Sequence, residues 1–126
     1  MITASNTNIP YCVTITNGDT VVYSDVAKER GGKAEAFRPH EFLCAAYASC
    51  FHITLCKLLD KEKLSYEEVI VTVDLDRSVE GQTKFLYQCE IIGTIENTKK
   101  EELIKKASRC PIGLSLEQTI LFEPFN

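Results

Sequence analysis

From Tyr11 onward, apolar and polar positions first alternate in short runs and then merge into one long stretch that is apolar on nearly every side. Residues Tyr11 to Thr16 read as a strand, Asn17-Gly18 is a strong hairpin signal, and Thr20 to Tyr23 supplies the partner strand. The segment Lys28-Glu29-Arg30-Gly31-Gly32-Lys33 is polar and glycine-bearing and reads as a loop. It leads to Pro39, which suits the first turn of a helix because its missing N–H is not needed there. A helix is predicted from about Pro39 to Lys63, with room for one break. Its first half is apolar nearly all round, which predicts burial on several sides, enclosed by sheet. Ala45, Ala46, Ala48 and Ser49 are small enough to let another backbone approach, including one from a second subunit.

Two clear strands come next. Val69, Val71, Val73 and Leu75 alternate with Ile70, Thr72, Asp74 and Asp76, and Phe85, Tyr87, Cys89 and Ile91 alternate with Leu86, Gln88 and Glu90. Thr98 and Glu101 have capping-box spacing and predict the start of a second helix. Leu103, Ala107 and Cys110 would share one face of that helix, so Cys110 is expected to point inward. A last strand is expected from Thr119 to Phe122. The order ββ-α-ββ-α-β predicts an α+β fold with an antiparallel sheet and two main helices.

Composition narrows the function. The 126 residues are expected to form one domain, with enough chain for an ordinary core without metal or disulfides. A net charge of −4 and the lack of any basic stretch argue against nucleic acid and anionic membrane as partners. The longest apolar run, Phe42 to Phe51 interrupted by Ser49, is well short of the ~20 residues a membrane span needs. Met1 to Asn6 shows no signal-peptide pattern, so the six cysteines are expected to be reduced and the protein cytoplasmic.

Two of those cysteines stand out. Cys50 lies deep in the apolar helix, and Cys110 immediately precedes Pro111. A thiol set in a helix can be tuned by its neighbours, and two such thiols can run a cycle in which one sulfur attacks an oxidant and the other resolves the product. Cys12, Cys44, Cys56 and Cys89 read as core filling. His40 and His52 read as surface or core histidines, and Cys50-x-His52 lacks the paired short spacing of a structural zinc site. No glycine-rich phosphate loop is present, so no nucleotide is expected. No cofactor or metal is predicted.

The run Pro39-x-Glu41-Phe42-Leu43-x-Ala45-Ala46-Tyr47-Ala48-Ser49-Cys50 resembles the central-helix motif of the OsmC/Ohr proteins, the osmotically inducible and organic hydroperoxide resistance family. Ala107-x-x-Cys110-Pro111-Ile112 resembles that family's second cysteine motif. The resemblance covers roughly Pro39 to the C-terminus. It implies an OsmC-like α+β fold, with antiparallel sheets wrapped around central helices in an intertwined homodimer. It further implies that Cys50 is the peroxidatic thiol and that Cys110 resolves its sulfenic acid as a disulfide. The substrate would be an organic hydroperoxide, the reductant a small dithiol or lipoyl group, and no metal or flavin would take part. Glu41 would hold an arginine that stabilises the Cys50 thiolate.

In the hydroperoxide branch a glutamate directly follows the motif proline and an arginine lies near the N-terminal hairpin. Here His40 follows Pro39, and Tyr11 to Val26 contains no arginine, which leaves Arg30 and Arg38 upstream of the helix. The alternative reading is a non-peroxidatic family member, a redox sensor or a small-molecule or lipid-binding dimer.

Overall fold

The computed structural model describes residues 1–125. They fall into two compact units, Met1–Leu43 and the remainder from Cys44. The first unit is a three-stranded antiparallel sheet, β1 (Thr3–Asn6), β2 (Val13–Thr16) and β3 (Val21–Ser24), in the order β1-β2-β3. The hairpin expected at Asn17-Gly18 joins β2 to β3, with Thr14 opposite Tyr23 and Ile15 opposite Val22. Asn17 holds the turn by accepting the Asp19 and Thr20 backbone N–H groups at 2.9 Å each. Strand β1 was not legible in the sequence, because Thr3–Asn6 is a polar edge with all four residues exposed.

Beyond β3 the chain turns through a short 3-10 segment, Lys28–Arg30. The buried Asp25 organises this loop. Its carboxylate accepts the backbone N–H of Val26 at 2.7 Å, Lys33 at 3.1 Å and Glu35 at 3.4 Å. These bonds, that from Val26 foremost, hold Asp25 below the ordinary carboxylate range.

Helix α1 (Pro39–Lys61) is unbroken. It stops where Lys63 takes a left-handed conformation and the Leu64 N–H bonds the Leu59 carbonyl at 3.0 Å, a Schellman-type end. In the second unit β4 (Glu68–Asp76) and β5 (Lys84–Ile92) form a two-stranded antiparallel sheet with Val71 opposite Cys89. Helix α2 (Asn97–Ala107) and a short α3 (Pro111–Glu117) complete it. The core contains Tyr47, Phe51, Leu55 and Leu59 of α1 with Val69, Ile91, Leu103, Ala107 and Cys110. The α1 members recur at four-residue spacing, so they form one stripe along the helix.

Several expectations are corrected. Within the single chain α1 buries this one stripe, and Leu43 and Ile53 of the same helix are 43% and 54% exposed. The run Phe42–Phe51 is short, but α1 as a whole is long and apolar enough to cross a membrane by length and composition, with 22% of its most apolar window buried. Helix α2 starts one residue before Thr98, with Glu96 in the capping position, so the Thr98/Glu101 box does not form. Thr119 to Phe122 makes no strand. It has no ladder partner among the described residues, and Ile120, Leu121 and Phe122 are 55%, 76% and 94% exposed.

Leu55 has no solvent exposure and sits in the middle of the stripe. Leu55→Ala is expected to destabilise the protein by about 2–5 kcal/mol, read by chemical denaturation. A loss below about 1 kcal/mol would contradict the assignment of this stripe as the core.

Candidate active site

Cys50 follows from the geometry of α1. With Phe51 turned into the core, its neighbour Cys50 faces a groove, half-buried rather than sealed. Ala46, Ser49, Cys50, Ile53, Thr54 and Lys57 line that groove from α1, and Pro111 and Ile112 close it from α3, around a volume of about 450 Å³. Cys50, Ile53, Thr54 and Lys57 follow the i, i+3, i+4, i+7 rule for a shared helix face. Lys57 was not read as a site residue; its spacing of seven from Cys50 was the available signal.

Cys110 reaches the same place by another route. The helical periodicity of Leu103 and Ala107 predicted it on the inner face of α2, but α2 ends at Ala107. Pro111 disfavours helical backbone at the residue before it, so Cys110 is extended (φ −62°, ψ 166°) and becomes the residue that starts α3. Its inward orientation nonetheless holds, at 1% exposure. Cys50 packs against the buried cluster that contains Cys110 and acts on its thiol, so the structure brings the two cysteines singled out in the sequence near one another. Neither takes part in a disulfide. Burial foremost pushes the Cys110 thiol up, and Cys50 adds to this, while the Gly113 and Ile112 N–H groups pull the other way.

Two further residues hold the turn that carries Cys110. The Tyr47 hydroxyl donates to the Ser108 carbonyl at 2.8 Å across 61 positions of sequence. Tyr47 is 6% exposed and packs edge-on against Phe51, Phe85 and Tyr87, with ring centroids 5.7, 5.8 and 6.1 Å away. At Gly113 a Cβ would lie 2.8 Å from the Ser108 oxygen and 3.0 Å from a Tyr47 ring carbon, so only glycine fits beneath the turn. Tyr47 stood inside the cysteine motif, but nothing in the sequence showed that its hydroxyl would reach the second one.

The charged candidates lie in the first unit. Arg38 Nε pairs with Glu41 Oε1 at 2.7 Å, both side chains about half exposed, and the Arg38 N–H donates to the same oxygen at 3.4 Å. Glu41 thus holds an arginine and also serves the first turn of α1. Arg30 is exposed and makes no ion pair among the described residues, and His40 is exposed. No group of three or more His, Cys, Asp or Glu able to hold a metal occurs among the described residues.

Burial pushes Tyr47 from its ordinary 10.0 up to about 12. A group whose folded value is raised stabilises the fold fully below its unfolded value and loses that contribution as pH rises through the folded one. The thermal midpoint is therefore expected to fall between about pH 10 and 12. Tyr47→Phe should remove much of that slope and cost about 1 kcal/mol at neutral pH through the lost bond to Ser108. An identical alkaline profile in both proteins would contradict this assignment.

The family model described as OsmC-like protein matches residues 31–124. No curated protein matches. Among solved structures, an organic hydroperoxide resistance protein OsmC from Legionella pneumophila, also described as a predicted redox protein, is 26% identical, with TM-score 0.67 over 92% of this chain and 87% of that one. An OsmC-like protein from Mycoplasma pneumoniae is 20% identical, with TM-score 0.78 over 93% and 86%. An organic hydroperoxide resistance protein from Elizabethkingia anophelis, with thiocyanate bound, is 21% identical, with TM-score 0.67 over 90% and 84%. The α+β fold and the matched model agree with the reading of the two cysteine motifs: the chain belongs to the OsmC-like protein family.

Proposed function

We propose that this protein is a thiol peroxidase that reduces organic hydroperoxides, with Cys50 attacking and Cys110 resolving. The observation that carries this reading is the placement of the Cys50 thiol, on an accessible and largely apolar groove, near the buried Cys110 thiol. The name of the Legionella relative, organic hydroperoxide resistance protein, points to the same chemistry.

The reaction divides between the two sulfurs. The Cys50 thiolate attacks the outer oxygen of ROOH, the O–O bond breaks, and the alkoxide leaves as ROH after taking a proton. Cys50 is then a sulfenic acid. Cys110 attacks that sulfur, the hydroxyl departs as water, and a Cys50–Cys110 disulfide remains. A small dithiol or lipoyl group reduces it back. Cys110, kept protonated by burial, does not compete for peroxide and acts once the sulfenic acid has formed beside it. Ile53, Pro111 and Ile112 favour an alkyl hydroperoxide over hydrogen peroxide.

Arg38, held by Glu41, is proposed as the activating cation ahead of Arg30, which makes no ion pair among the described residues. The working form is a cytoplasmic homodimer, in which a second copy covers the apolar faces of α1 and the apolar residues from Ile120 to Phe122. A second reading, a small-molecule-binding dimer, is favoured by one observation. The first unit contains a cavity of about 520 Å³ lined in part by Ile9, Val22, Tyr23, Phe37 and Phe42.

Turnover of cumene hydroperoxide with a dithiol reductant decides between them. Cys50→Ser is expected to abolish it. Cys110→Ser should leave a Cys50 sulfenic acid that a dimedone probe traps. Arg38→Ala should lower kcat/KM by about 10²-fold, with Arg30→Ala near wild type. Wild-type-like turnover by Cys50→Ser would sink the peroxidase reading. Absence of turnover, with binding of apolar ligands in the first unit, would favour the second.

A further inference from the structure

Six residues beyond Cys50 on α1, a second thiol has chemically active neighbours. His52 Nε2 lies 3.0 Å from the Val69 carbonyl oxygen of β4, and Cys56 Sγ lies 3.8 Å from His52 Nδ1. A carbonyl can only accept, so Nε2 carries a hydrogen and donates it. This fixes what Nδ1 offers the sulfur. In the neutral ring its lone pair receives the Cys56 S–H, and in the protonated ring Nδ1–H donates to a Cys56 thiolate. The backbone of β4 therefore sets the histidine as a base for cysteine, the arrangement that activates thiol nucleophiles.

Other groups complete the surroundings. The Tyr66 hydroxyl lies 3.4 Å from Asp60 Oδ1, to which it can donate, and Cys56 also neighbours it. The neighbouring Cys56 first, and burial second, push Tyr66 up to about 12, so it remains a hydroxyl at neutral pH. Cys89 on β5 faces the same layer. Burial and then the neighbouring Cys56 push its thiol up to about 11, which keeps it protonated and slow to react. Cys56 itself is half-buried rather than sealed. Core filling accounts for a cysteine at this position but not for a histidine held with its ring nitrogen toward the sulfur.

We propose that Cys56, with His52 as its base, is a second nucleophilic thiol of this protein, at which low-molecular-weight disulfides attach as mixed disulfides. The Cys56 proton passes to His52 Nδ1, and the thiolate attacks one sulfur of RSSR. The S–S bond breaks, Cys56–S–S–R forms, and RS⁻ leaves to take the proton from His52. One small thiol is released for each cysteine modified, and a second small thiol reverses the exchange. Cys89, held as the thiol, leaves the adduct in place. This chemistry is separate from the Cys50–Cys110 cycle and needs no peroxide.

The test uses the full chain carrying Cys50→Ser and Cys110→Ser, incubated with oxidised glutathione at neutral pH and followed by intact mass and peptide mapping. One glutathione is expected on Cys56, added about tenfold or more faster than on Cys12 or Cys89. His52→Gln, whose amide can still donate to the Val69 carbonyl, should slow that addition about tenfold or more while keeping the thermal midpoint. Modification spread evenly over the cysteines, or undiminished in His52→Gln, would overturn the proposal. Should these variants fold poorly, alkylation of the reduced unsubstituted chain by iodoacetamide decides the matter. Cys56 reacting ahead of Cys12 and Cys89 supports it, and Cys56 reacting no faster than they do overturns it.

Discussion

The buried stripe Tyr47–Phe51–Leu55–Leu59 sets the rotation of α1 within the second unit, and the chemistry follows from that rotation. Each such side chain gains about 1.5–3 kcal/mol on burial, against about 0.5–1.5 kcal/mol for one hydrogen bond, so packing decides which way the helix faces. Once the stripe is committed to the β4–β5 sheet and α2, the line Cys50, Ile53, Thr54 and Lys57 is left to form the groove. The same stripe supplies Tyr47, whose hydroxyl ties the Ser108 turn, two residues before Cys110, to α1. Core and site are thus one arrangement.

The two sulfurs lie in unlike surroundings, and the difference suits a division of labour. Cys50 opens onto a groove with a small-molecule volume, whereas Cys110 is buried at the start of α3, its thiol favoured by desolvation. An exposed attacker needs access to substrate, and a resolver needs only proximity to the attacker. Pro111 contributes by sequence alone: it ends the helical periodicity and turns Cys110 from a helix-face residue into the residue at the head of a new helix.

Much of this was legible in the sequence where the signal was local. Asn17-Gly18 specified its hairpin through side-chain bonds within the turn, and the alternation of Val69–Asp76 and Phe85–Ile91 specified β4 and β5. The two cysteine motifs identified the family. What failed depended on partners the local pattern does not contain. Thr119–Phe122 has strand-forming residues but no neighbouring strand among the described residues. Helix α1 is apolar on more faces than one chain covers. Tyr47 and Lys57 were missed for a related reason, since their importance lies in what they touch rather than in their residue type.

The central claim is that Cys50 and Cys110 form one redox pair. Its most direct test is the intact mass of the reduced protein after one equivalent of cumene hydroperoxide, with peptide mapping under non-reducing conditions. The account predicts rapid loss of two hydrogens and a single Cys50–Cys110 bridge. An unchanged mass, or a bridge between other cysteines, would contradict it.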